Sequence, residues 1–96
     1  MTYTYKEIID NFDEHLTKSG KRYYSEFYIG VSQNAVERLF EKHHVDKENS
    51  WWIYRTAISS EDAKRVAKHY QDLGMRGGTD DGNMVYCYVV TSLTTE

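Results

Sequence analysis

Tyr28, Ile29 and Gly30 form a triplet, and Arg38 follows the glycine at a distance of eight residues. A phenolic hydroxyl and a guanidinium held at a fixed separation can address one anion, the arginine supplying charge and the tyrosine a hydrogen bond. Beyond the arginine come Glu41, His43 and His44. Neighbouring residues on a helix point about 100° apart, so the two histidines cannot easily share one metal ion. His43 falls on the apolar face and reads as a hydrogen-bonded core or edge residue. His15 and His69 have no partner at ligand spacing, so no metal site is expected. Cys87 stands among apolar residues, which favours a buried thiol over a nucleophile.

A second candidate is the stretch Gly74-Met75-Arg76-Gly77-Gly78-Thr79-Asp80-Asp81-Gly82-Asn83. Glycine loops that cradle phosphate run from a strand into a helix, so that the positive end of the helix faces the anion. This one runs from a helix into a strand, and it reads as a helix cap followed by a turn on Asp81-Gly82-Asn83. Its backbone N–H groups can still form an anion nest, with Arg76 beside them. Asp80-Asp81-Gly82 is a fragment of a calcium loop without the later bidentate glutamate. Nine of the fourteen aromatic residues (nine Tyr, three Phe, two Trp) are tyrosines. Such side chains, apolar in body and polar at the tip, suit half-buried positions in a small core or at an interface.

The triplet and its arginine resemble the second half of the GIY-YIG nuclease signature. In that family a strand ends in Tyr-(Ile/Val)-Gly, a short turn follows, and a helix presents an arginine eight residues after the glycine. Here Val31-Ser32-Gln33-Asn34-Ala35-Val36-Glu37 fits the turn and helix start, and Ser59-Ser60-Glu61-Asp62-Ala63 is similar to the family's next helix start. The likeness covers about residues 24–74. It implies that Tyr28 and Arg38 act on a phosphate and that a helix glutamate holds one divalent metal. The family's histidine position, four residues after the arginine, holds Lys42, with His43 and His44 one and two residues further on. Its metal carboxylate position holds Ala67, with Glu61 or Asp72 as stand-ins. The upstream GIY strand has no counterpart, because Lys18-Ser19-Gly20-Lys21 reads as a helix end. The last strand, with Val85-Tyr86-Cys87-Tyr88, is a candidate for its place in the sheet, arriving from the opposite end of the chain.

The elements that would carry these residues follow from periodicity. Thr4 and Glu7 make a capping box, and Tyr5, Ile8, Ile9, Phe12 and Leu16 recur at helical spacing until Ser19-Gly20. Residues 22–31 alternate as a strand. A second helix starts at Ser32 or Asn34, with Val36, Leu39, Phe40 and His43 on its apolar face. Residues 51–58 read as a second strand, and Ser59 or Ser60 caps a third helix that buries Ala63, Val66, Ala67, Tyr70 and Leu73. Residues 84–91 form the last strand, and residues 92–96 are expected to fray. The order α-β-α-β-α-β gives an α+β fold, a small three-stranded sheet packed by three helices, in a single domain over residues 1–96.

Composition narrows the function. Twelve Lys and Arg against fifteen Asp and Glu give a net charge of −3, which argues against a dedicated nucleic-acid binder. The mean hydropathy is −0.75, and no apolar run approaches the length of a membrane span. Met1-Thr2-Tyr3-Thr4-Tyr5 has no leader character, and one cysteine makes no internal disulfide. The expectation is a soluble, cytoplasmic, non-catalytic binding protein with a GIY-YIG-like core and no cofactor. Its binding residues are Tyr24, Tyr28, Arg38, Arg76, Tyr86 and Tyr88 on a tyrosine-rich face. The expected partner is a protein, a second copy of the chain included, rather than nucleic acid or a membrane. Size, acidity and tyrosine content resemble small phage or mobile-element inhibitors, which implies occlusion of a partner's groove. Asp13, Glu14, Asp80 and Asp81 would complement a basic surface on that partner. One alternative is a GIY-YIG-type endonuclease with a rearranged site, in which Tyr28, Arg38 and His43 or His44 are catalytic and Mg²⁺ is required. The other is a protein that holds a small nucleotide-like ligand against Tyr28, Arg38, Arg76 and the glycine loop.

Overall fold

Local signals set the helix starts. The Thr4 hydroxyl accepts the Glu7 N–H, and the Glu7 carboxylate accepts the Thr4 N–H in return. From there α1 (Tyr5–Thr17) buries Ile8 and Phe12. The computed structural model describes residues 1–78 and 80–96. After α1 come β1 (Phe27–Ser32), α2 (Ala35–Glu37, widening into a π turn over Arg38–Lys42) and β2 (Trp52–Thr56). The chain continues with α3 (Ser60–Asp72), β3 (Arg76–Gly77) and β4 (Met84–Val89). Asn34 caps α2 by accepting the Glu37 N–H, and Ser59 caps α3 by accepting the Asp62 N–H. No helix among the described residues is long and apolar enough to cross a membrane.

The fold is α+β, but its sheet has four strands rather than three, in the order β2-β4-β1-β3. The additional strand, β3, lies in the glycine-rich stretch read as loop, and it pairs parallel with β1 through Tyr28↔Arg76 and Ile29↔Gly77. Any side chain at Gly77 would collide with the Ile29 carbonyl, so glycine is what lets the two backbones meet there. The remaining pairs are antiparallel, with β4 between β2 and β1. Thus β4 does lie beside the Tyr28-Ile29-Gly30 strand, with Tyr86 opposite Gly30 and Tyr88 opposite Tyr28.

Residues in register on neighbouring strands share a face of the sheet. On one face Ile53, Cys87 and Ile29 align and pack with Ile8, Phe12, Val66 and Tyr70 under α1 and α3. On the other, Trp52, Tyr88, Tyr28 and Arg76 form one row, and Tyr54, Tyr86 and Gly30 the next. Ala35, Leu39 and Val45, carried by α2 and the segment after it, cover the middle of this second face. The sheet is therefore sandwiched between helices on both sides.

β2 and β4 are shorter than the expected 51–58 and 84–91, and other details of the sequence reading differ for local reasons. The strand expected from residue 22 begins at Phe27, because the Glu26 carboxylate accepts the N–H groups of Arg22 and Tyr23 and curls Tyr24–Glu26 into a 3₁₀ turn. Val36 is exposed, while Ala35 and Leu39 do the packing. Leu73 also points outward, since α3 ends at Asp72 and Gly74 turns the chain at φ +119°. Residues 92–96, expected to fray, are tied to the body: Thr95 N donates to the His43 carbonyl at 2.8 Å, and Arg76 binds Glu96 at 2.7 Å. Hydrogen-bonded partners on α2 and β3 outweigh the lack of an apolar anchor in that segment.

Candidate functional site

Tyr28 sits on an inner strand, one residue from its start, and its ring is half-buried between two layers. Along the sheet it stacks on Tyr88 at 5.2 Å between centroids and lies 6.4 Å from Tyr86. Above it, the His43 ring approaches to 4.8 Å. Gly30 makes this packing possible, because a Cβ there would lie 2.5 Å from the Tyr86 ring carbon Cζ. The glycine of the Tyr-Ile-Gly triplet is thus the seat of a neighbouring aromatic ring.

His43 is fixed by three contacts. Its Nδ1 lies 2.6 Å from the Thr95 carbonyl, its Nε2 lies 2.9 Å from the Tyr86 hydroxyl, and the Tyr88 hydroxyl is 3.0 Å from Nδ1. A carbonyl can only accept, so Nδ1 carries the proton. In the neutral ring Nε2 is then the acceptor, and the Tyr86 hydroxyl donates to it. Burial holds His43 below the usual histidine range, against an upward pull from the Thr95 bond, with nearby Arg38 adding to the depression. Burial likewise raises Tyr86 and Tyr88 well above the usual tyrosine range, so both keep their protons. Tyr28 is raised too, first by burial and then by the negative charges of Glu96 and Asp80, with Arg38 opposing.

Arg38 and His43 come together because of the π turn. The His43 N–H donates to the Arg38 carbonyl at 2.9 Å, five residues back. Residues five apart in a π turn stand nearly one above the other, as residues four apart do in an α-helix. The resemblance places a histidine four residues after the arginine. In this chain that position holds Lys42, and His43 stands five residues after Arg38, at the end of the π turn. Nothing in the sequence signals this turn.

Two arginines belong to the Tyr28 side of the sheet. Arg38 comes from α2 and Arg76 from β3, where it shares the face and the row of Tyr28. Each is held by a carboxylate: Arg38 by Asp80 at 2.6 Å and Arg76 by Glu96 at 2.7 Å. Both pairs are about half exposed. Gly78 closes the floor, since a Cβ there would lie 2.9 Å from the Tyr28 hydroxyl. That hydroxyl has no hydrogen-bond partner among the described residues. A polar cleft of about 440 Å³, lined by Ser32, Asn34, Glu37, Arg38, Asp80 and Asp81, shares the Arg38–Asp80 pair with this site.

Of the six expected binding residues, Tyr28, Arg38 and Arg76 meet at this mouth. Tyr86 and Tyr88 belong to the same cluster but are 2% and 0% exposed, because α2 lies over them, so they support the site from within rather than present a surface. Tyr24 is on the opposite side, in the 3₁₀ turn, 6.4 Å from the Tyr70 ring. His44 takes φ +58°, ends the π turn and hydrogen-bonds the Thr95 hydroxyl at 3.1 Å from an exposed position. Ala67, at the family's metal carboxylate position, packs in the core on the α1 and α3 side, away from Tyr28. Glu61 and Asp72 stand on the same helix, and Asp72 pairs with Lys68. Among the described residues no group of three His, Cys, Asp or Glu is placed to hold a metal ion. Cys87 is fully buried, which pushes its thiol far up and leaves it inert. The expected acidic rim is dispersed: Asp13 accepts the Tyr70 hydroxyl, Asp80 holds Arg38, and Asp81 pairs with Lys64.

Sequence reading missed Glu96 and Thr95, which reach the site only through the path of the tail. Comparison with protein-family models, curated proteins and solved structures found no significant match for this chain.

Proposed function

We propose that this chain is a binding protein for a phosphate-bearing, nucleotide-like ligand, held at the mouth formed by Tyr28, Arg38 and Arg76 on a GIY-YIG-like core. One observation carries the reading: Arg76 stands in register with the half-buried Tyr28 on the neighbouring strand, and Arg38, from the element packed over that face, acts electrostatically on its hydroxyl, as do the two carboxylates that hold the arginines. Guanidinium forks match phosphate oxygens in charge and geometry, and a neutral tyrosine adds a donor. The neighbouring His43 is hydrogen-bonded to both Tyr86 and Tyr88, and burial favours the neutral form of all three, which suits holding a ligand more than transferring protons to it.

The test is titration of inorganic phosphate, AMP and a dinucleotide, followed by heteronuclear NMR. Saturable shifts are expected at Tyr28, Arg38 and Gly78, weakened at least about tenfold in Arg38→Ala, the order of losing one charge-assisted hydrogen-bonded pair. No saturable binding of any of the three by the native protein would end the proposal.

A second reading shares the chemistry. Tyr28, Arg38 and His43 are the residues that the resemblance assigns to a nuclease, and the π turn brings the last two together. Plasmid cleavage with Mg²⁺ or Mn²⁺, lost in Arg38→Ala, would favour that reading over simple binding. The protein-occlusion reading has to rely on a different surface. The exposed Tyr23 and Tyr24 flank a cleft of about 280 Å³ with Leu16, Lys21 and Arg22, on the far side from Tyr28.

A further inference from the structure

We propose that Asp80 and Glu96 are internal competitors for the ligand, occupying the two arginines where phosphate oxygens would bind. This rests on the phosphate-ester reading above and concerns how that site is regulated. Each carboxylate contacts its arginine at the length of a charge-assisted hydrogen bond, 2.6 Å for Asp80 on Arg38 and 2.7 Å for Glu96 on Arg76. Carboxylate and phosphate oxygens present the same acceptors to a guanidinium, so an arriving phosphate must displace one of them.

Both carboxylates also act on Tyr28. Their negative charges raise its pKa, and Arg38 opposes them. They are therefore close enough to repel an anion placed at the same hydroxyl. The two ion pairs neutralise both guanidinium groups, and Glu37 and Asp81 line the adjoining cleft, so an arriving anion meets no net positive charge although the site is built around arginines.

The two competitors are held outside the sheet. Asp80 lies in the segment between β3 and β4, and Glu96 lies in the tail. Glu96 follows Thr95, which is bound to His43 through both its N–H and its carbonyl. The tail can thus stay docked through Thr95 while the Glu96 side chain swings off Arg76. Asp80 can leave Arg38 without breaking the β1–β4 ladder, which begins only at Met84. Displacement of either carboxylate is a local event that leaves the fold intact.

The test compares binding of AMP and of inorganic phosphate to four proteins at fixed ionic strength. These are the native chain, the single variants Asp80→Asn and Glu96→Gln, and the double variant. Asp10→Asn with Asp72→Asn serves as control, because it removes the same two charges from surface pairs with Lys6 and Lys68. Each single variant should bind both probes about threefold to fivefold tighter, and the double about tenfold or more, the scale of half-exposed ion pairs. The control should bind as the native chain does.

If neither the native chain nor the double variant binds either probe, the phosphate-ester reading itself fails. If the native chain binds and the double variant gains no more than the control, that reading stands and the competition is overturned. A gain confined to AMP would also overturn it, because the competition is for phosphate. Circular dichroism confirms that each variant is folded, and the single variants carry the test should the double variant misfold.

Discussion

The two faces of the sheet are built on opposite principles. Under α1 and α3 the core is mostly aliphatic: Ile8, Ile29, Val31, Val66, Val85 and Cys87 meet Phe12, and the hydroxyl of the buried Tyr70 reaches outward to Asp13. Such a core is held by area and fit, and its residues are interchangeable within limits of volume. Under α2 the same sheet buries Tyr86, Tyr88 and His43, whose polar atoms all need partners. A buried network of this kind tolerates only one arrangement, because each unpaired group is costly. The aliphatic face stabilises the fold, and the aromatic face fixes a geometry.

The difference can be broken by substitution. Phe12→Ala should cost the most, about 3–5 kcal/mol, through lost burial and a cavity. Urea unfolding gives the stability, and the fraction that remains folded should bind phosphate esters as before. A changed affinity there would mean the two faces are coupled. Gly30→Ala should cost about 1–3 kcal/mol, because the new methyl displaces the Tyr86 ring. Unlike Phe12→Ala, it should also weaken ligand binding, which the same titration reads. Tyr86→Phe keeps the ring and removes the donor to His43 Nε2, at about 1–3 kcal/mol. Equal stability of Tyr86→Phe and the native chain would show that this hydrogen bond does not hold the face together.

The pH dependence separates the faces by chemistry. Ordinary histidine titrates near 6.5, and burial holds His43 below that value in the folded chain. The unfolded chain therefore takes up the proton first as pH falls. The stability that His43 contributes is complete above about pH 6.5 and declines as pH drops through 6.5 toward the lower, folded value. Unfolding free energies between pH 7.5 and 5.5 should slope more steeply in the native chain than in His43→Gln. Parallel slopes would place His43 in a less buried setting. The smallest effect is expected far from both faces. Asp72→Asn removes an exposed i,i+4 pair with Lys68 and should change stability by about 0.3–0.5 kcal/mol at most.

Much of this was legible beforehand. Capping depends on one side chain and the N–H groups just beyond it, so the sequence carried Thr4 outright and narrowed the other two caps to Ser32 or Asn34 and Ser59 or Ser60, of which Asn34 and Ser59 serve. The same holds for the alternation that placed Ile29 and Cys87 on one face and Tyr28 and Tyr88 on the other. The Tyr28-Ile29-Gly30 and Arg38 spacing picked out a strand and the helical segment that packs over one face of it. Three features were not legible. β3 exists only because β1 offers it a partner edge across a glycine, and a two-residue strand has no period of its own. The π turn depends on how α2 settles over Tyr86 and Tyr88, which no local preference encodes. The tail docks through backbone groups of Thr95 on His43, and backbone groups look alike in every sequence.

By itself, then, the sequence determined where the three helices and the three longer strands lie, and which side chains of those strands share a face. These follow from interactions within a few residues. Only the tertiary structure decided that the tyrosine face is roofed, that Arg38 meets His43, and that Asp80 and Glu96 close on the two arginines. Those outcomes join residues up to tens of positions apart, and they form only once the whole sheet has brought its edges and its ends together.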